Sequence, residues 1–271
     1  MRALAAGSLL LALACASPAD HGAQPTAEHH PSEQKAIPAD LLPVIDAAER
    51  RGREMYKHDQ AAWHATDAVR ARKSPRESEL MGWITLPDAD AALPRVHFYG
   101  ESAPGSYASQ FDVSYRESEL RVVAHDPAVA LEEREQELVR ARGLAIAGRR
   151  RQRSDGINTI VLRDAGGEIH VYLMAATAKP DALVLAGHDL ARISPDGRTL
   201  LEWRPLSATC VVSKRAEGDR WNLLATLNDT PIETDVFTEL SFEVLNYFIV
   251  TRRGLWRLAG GEVFYFGESK P

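Results

Sequence analysis

Sulfur and lysine are both scarce in this chain. Its 271 residues hold two cysteines, Cys15 and Cys210, and only six of its 32 basic residues are lysine. Cys15 ends an N-terminal apolar run, which leaves Cys210 alone in any folded body. No internal disulfide framework is therefore possible, and stability must come from core packing. Cys210 stands among Thr209, Val211 and Val212, the setting of a buried, inert thiol. Net positive charge is missing too: 38 acidic residues against 32 basic give −6. That balance argues against a general polyanion binder, so nucleic acid is not an expected partner. The phosphate-loop, dinucleotide, zincin, C-x-x-C and G-x-S-x-G patterns are all absent. Their absence removes the easily read catalytic classes, and no cofactor and no resident metal are expected. Enzymes with dispersed sites remain.

What is present begins with an export signal. Arg2 supplies one positive charge, and twelve small or apolar residues follow at 3–14. A bilayer span needs roughly 20 residues, so the run reads as a processed signal over residues 1–14. Leu11-Ala12-Leu13-Ala14-Cys15 resembles the lipobox of bacterial lipoproteins, although Ala12 stands three places before the cysteine where such signals usually carry leucine. The resemblance implies a diacylglyceryl group on Cys15. With Ala16 rather than aspartate next, it also implies delivery to the outer membrane. The competing reading is ordinary cleavage at Ala14-Cys15-Ala16 or Ser17-Pro18-Ala19, giving a soluble periplasmic or secreted protein. Residues 15–38 carry Pro18, Pro25, Pro31 and Pro38 among polar and small residues and read as a flexible tether. His21, His29 and His30 lie in it, and any metal they take up is read as incidental.

Residues 39–268 read as one α+β domain, with a possible subdivision near 155. The pattern predicts one long N-terminal helix and one mid-chain helix packed on a large, mainly antiparallel β-sheet, with an all-β meander in the C-terminal half. Apolar residues at steps of three and four predict the first helix over residues 40–72, capped by Asp40, with Asp59 on its apolar stripe. Asp126 and Pro127 predict the start of the second helix, over residues 127–147. Strands are expected over 82–86, 95–99, 110–115, 120–124, 159–162, 168–174, 191–193, 199–203, 236–240, 246–251, 254–258 and 262–266. The small-residue stretch 100–106 reads as a loop. Short turns such as Ser194-Pro195-Asp196-Gly197 imply antiparallel pairing.

Asp59 is the most informative single residue for chemistry, because a carboxylate on an apolar stripe needs a partner or a cleft. A structural ion pair is the plainer reading, and an acid or base of raised pKa the functional one. His97 and His170 lie mid-strand and would join Asp59 in a polar pocket if their faces met. Three His-Asp pairs, at His58, His125 and His188, lack the all-helical context of HD-type phosphohydrolases. Arg149, Arg150, Arg151 and Arg153 form a basic loop suited to lipid headgroups or anionic glycans. The expectation is an exported, lipid-anchored envelope protein with a binding role, touching the membrane through Cys15. The alternative is a periplasmic hydrolase with a dispersed acid–base site at Asp59, His97 and His170.

Overall fold

The computed structural model describes residues 33–116, 119–149, 156–177, 179, 182–206, 211–214, 222–226, 246–251 and 253–268. Within them two α-helices pack on mainly antiparallel sheets, the α+β class expected. The first helix, α1 (Leu42–Ala71), has 30 residues and is about 45 Å long. Its buried positions are Ile45, Ala48, Gly52, Met55, His58, Ala61, Ala62, Ala65 and Val69. The stripe therefore turns after Met55: His58 is buried and Asp59 is only half-buried. The turn follows from the helix's length, because its two halves face different partners. Asp40 does not cap it. Leu41 holds that position with no side-chain bond, while Asp40 pairs with Arg253 at 2.7 Å.

The first sheet runs in chain order: β1 (Gly82–Leu86), β2 (Arg95–Ala103), β3 (Ser106–Arg116) and β4 (Glu119–Ala130), all antiparallel. Residues 100–106, expected as a loop, are the ends of β2 and β3 around a tight turn at Pro104-Gly105. The second helix, α2 (Glu133–Gly148), starts later than predicted. Asp126 and Pro127 lie in β4, and the Glu132 and Glu135 side chains close a capping box at the helix start. Proline is tolerated there because β4 is an edge strand and its residues 125–128 stand outside the ladder with β3.

A second antiparallel sheet takes β5 (Gly156–Arg163), β6 (Ile169–Ala176), β8 (Asp189–Ile193) and β9 (Leu200–Pro205) in that order. Between β6 and β8, β7 (Ala182–Ala186) leaves the sheet and pairs with β10 (Val211–Lys214). The last sheet holds β11 (Asn222–Thr226) parallel to β12 (Asn246–Thr251), then antiparallel β13 (Gly254–Ala259) and β14 (Glu262–Tyr265). The predicted strand at 236–240 lies outside the described residues. The single large sheet of the expectation is thus divided: among the described residues there are three four-stranded sheets and one two-stranded ribbon.

β1 and β5 lie side by side but form no ladder, so the first two sheets meet at a seam. The helices cover opposite faces of it. α1 packs Ala61, Ala65 and Val69 on Val96, Phe98, Phe111 and Val113 of the first sheet. Its other half places Leu41, Ile45 and Met55 among Ile160, Leu162 and Tyr172 of the second sheet and Ile249, Trp256 and Tyr265 of the last. On the far face, α2 packs Leu138, Val139, Ala141 and Ala145 against Ile84 and Leu86 on one side of the seam and Val161, Val171 and Ile193 on the other. Lys35 bridges to Tyr265 of β14, and Ile37 packs on the core. The last residues of the stretch read as a tether therefore belong to the packed body.

Arg142 of α2 ties the seam. Its guanidinium donates to Thr159 Oγ1 of β5 at 2.8 Å and to Tyr99 Oη of β2 at 3.0 Å, and lies over the Trp83 ring of β1. Gly82 makes room for it: a Cβ there would lie 2.5 Å from Arg142 Nη1. Arg142→Met, which keeps the stem and removes the donors, is expected to cost about 2 kcal/mol, the scale of charge-assisted bonds lost inside a protein. Gly82→Ala is expected to displace the same guanidinium. The two changes together should therefore cost less than the sum of each alone in urea denaturation.

Candidate functional site

The α2-side face of the first sheet carries a row of titratable groups. Alternation along β2 sends His97 to this face, and the β2–β3 register sets Asp112 directly opposite it. His125 arrives from β4. It is the first of the four residues that bulge from the ladder, and it turns back onto Asp112. Glu135 comes from the first turn of α2. The order in space is Glu135, His97, Asp112, His125. Glu135 Oε1 lies 3.6 Å from His97 Nδ1, His97 Nε2 lies 3.7 Å from Asp112 Oδ1, and Asp112 Oδ2 lies 2.8 Å from His125 Nε2.

The environments of these groups differ. Burial lowers the pKa of His97, and although Asp112 and Glu135 oppose that shift, the net effect is downward. His97 is thus a neutral imidazole at neutral pH, nine-tenths buried, with Nδ1 lacking a hydrogen-bond partner. Burial works to raise Asp112. The Ser109 hydroxyl, 2.5 Å from Oδ1, and the two imidazoles outweigh it and hold the carboxyl below its ordinary value. An anionic Asp112 accepts from Nε2–H of His125. That is the pairing by which a carboxylate orients a general base. Behind it, Arg76 donates to the His125 carbonyl and pairs with Asp126 at 2.6 Å. Both fix the bulge that carries the imidazole.

The three residues expected to share a pocket do not meet. His97 lies on the α2 face of its sheet, whereas Asp59 belongs to α1, on the opposite face. His170 lies on β6, on the face that sends Tyr172 toward α1. It stands 3.6 Å from Asp164 and 4.0 Å from Glu168. Burial and the nearby Arg51 lower its pKa. Of the basic loop only Arg149 is described, half-buried after the last turn of α2. Arg150, Arg151 and Arg153 lie outside the described residues, as do Cys15 and Cys210.

Sequence reasoning missed Asp112, His125 and Glu135. The polar positions of β3, Gln110, Asp112 and Ser114, alternate with Phe111, Val113 and Tyr115. That alternation could have set Asp112 on the face opposite to Phe111 and Val113. The bulge that turns His125 onto it was hidden by reading Asp126-Pro127 as a helix start. Comparison with known protein families, curated proteins and solved structures finds no match to this chain.

Two further histidines are buried for structural reasons. His58 Nδ1 meets Thr85 Oγ1 at 2.6 Å, and His188 Nδ1 accepts from the Ala175 N–H at 2.9 Å. Burial holds each at a pKa of about 4, against 6.5 when exposed. Both are neutral in the fold and take up protons when the chain unfolds below pH 6.5. Their contribution to stability is complete above pH 6.5 and is lost as pH falls toward 4, by up to about 3 kcal/mol each. Urea midpoints should fall over that window, and His58→Gln should make the fall shallower.

Proposed function

We propose that this chain is an exported bacterial envelope protein, anchored by lipid on Cys15 at the periplasmic face of the outer membrane, with a binding role. The observation that carries the reading is the apolar run of residues 3–14 set directly against Cys15. Between Cys15 and Lys35, the first bridged residue among those described, lie residues 16–34. Nineteen residues reach at most about 65 Å when extended, enough to hold the body clear of a membrane surface. Several lipid chains, at about 0.8 kcal/mol per buried CH₂, make a firm anchor. Exposed apolar side chains support the binding role: Leu120, Val123 and Val129 on β4, and Leu200 and Leu201 on β9. The test is intact mass measurement of protein extracted from an expressing bacterium's envelope. A lipid-sized mass increment that Cys15→Ser abolishes is the expected result. A bare chain beginning after Ala14, Ala16 or Ala19 would replace the anchored reading with a soluble one.

The row from Glu135 to His125 favours a second reading, a periplasmic hydrolase with His125 as general base and Asp112 orienting it. Its site is then Asp112 and His125, with His97 behind them, in place of Asp59 and His170. Asp112→Asn reverses which group donates to His125. If the reading holds, this change lowers turnover of a responsive ester or phosphoester about 10²-fold or more in protein whose circular dichroism spectrum matches the parent, beside a modest fall in the urea midpoint. Equal turnover in both proteins would exclude it.

A further inference from the structure

We propose that Asp164, Glu168 and His170 bind one divalent first-row transition-metal cation. The hairpin between β5 and β6 builds the triad. Leu162 pairs with His170, and the Asp164 N–H donates to the Glu168 carbonyl at 2.9 Å, so the register sets Asp164 beside Glu168. All three side chains thus fall on one face of two neighbouring strands. Their nearest ligand atoms lie within 4.8 Å of one another, and the two contacts of His170 Nε2 measure 3.6 and 4.0 Å. Donor atoms about 2.1 Å from a tetrahedral centre are about 3.4 Å apart, so the two His170 contacts need to close by about 0.2 and 0.6 Å and the widest separation by up to about 1.4 Å, within reach of side-chain rotation.

Two atoms of the triad are left without partners. His170 Nε2 and Asp164 Oδ1 are buried and have no hydrogen bond. Buried polar atoms seldom stay unpaired, and a cation would satisfy His170 Nε2, with Oδ2 the Asp164 oxygen that faces it. Glu168 is already oriented: Arg192 donates to its Oε2 through Nε at 3.0 Å and Nη2 at 2.7 Å, and is held on its other side by Glu202 at 2.7 Å. Oε2 is also the Glu168 oxygen nearest His170, so a bound cation shares it with Arg192 or takes Oε1. One imidazole and two carboxylates suit Zn²⁺ or Mn²⁺, whereas Ca²⁺ takes six to eight oxygens. Three protein ligands leave a position for water.

The test must separate this triad from His21, His29 and His30 near the N-terminus. Chelator-treated full-length protein with Cys15→Ser and those three histidines changed to alanine is titrated with Zn²⁺, and separately with Mn²⁺, by calorimetry. One equivalent of either metal, with a raised Tm, is the expected result. Asp164→Asn, Glu168→Gln and His170→Ala should each weaken it at least tenfold and abolish the rise in Tm. The two isosteric changes keep the hairpin's shape, and a circular dichroism spectrum matching the parent establishes that each variant is folded. Absence of one-equivalent binding in the tail-substituted parent, or undiminished binding in the folded isosteric variants, would overturn the proposal. The three side chains and Arg192 would then be a cross-strand charge ladder and nothing more.

Discussion

The seam between β1 and β5 is the constraint on which the fold depends. Two sheets end there without exchanging backbone hydrogen bonds, so side chains must join them. α2 does this with an apolar stripe that reaches both sheets and with one cation, Arg142, whose donors reach β2 and β5. α1 does the same on the other face, with alanines over the first sheet and larger side chains over the second and last. Small residues let a helix approach a sheet closely, while large ones fill a wider gap. The change in side-chain size along α1 therefore marks where its partner changes.

This division of labour explains which parts of the structure were legible. α1 was readable because thirty residues repeat one period, and its error was local. The stripe was read as straight, which put Asp59 where His58 belongs. Nothing in a single period reveals that a helix serves two partners. The antiparallel hairpins around Pro104-Gly105, Gly166-Gly167 and Pro195-Asp196 follow from short turns and alternating side chains, although the first was read as a loop. The start of α2 was misread because Asp126-Pro127 satisfies a local rule for helix entry. β-pairing of Val129 and Ala130 with β3 overrode it. The split into separate sheets was not legible at all, since alternation fixes faces and not neighbours.

The chemistry follows the same logic. His97 and His170 were picked out as strand imidazoles, and His170 is the second residue of β6; each found one of its carboxylates across a ladder. Asp112 reaches His97 by register, Asp164 reaches His170 by the closure of a hairpin while Glu168 stands two residues before it on the same face, and His125 reaches Asp112 by a bulge. Pairing of this kind depends on the ladder, which a single sequence does not specify residue by residue. Burial then divides the histidines. His58 and His188 are spent on backbone and hydroxyl partners inside the protein, while His97, His125 and His170 keep ionisable neighbours.

β4 is the free margin of its sheet, twelve residues long, with every described position exposed or half-buried. Such a margin ordinarily offers a row of carbonyls and N–H groups to any extended chain nearby. Here two of those carbonyls are already taken: Arg72 holds that of Val122, and Arg76 that of His125. Both arginines come from the stretch that links α1 to β1. A newcomer strand would have to evict two guanidinium groups before it could continue the sheet. At these two positions a contact with β4 is thereby directed to its side chains rather than to its backbone.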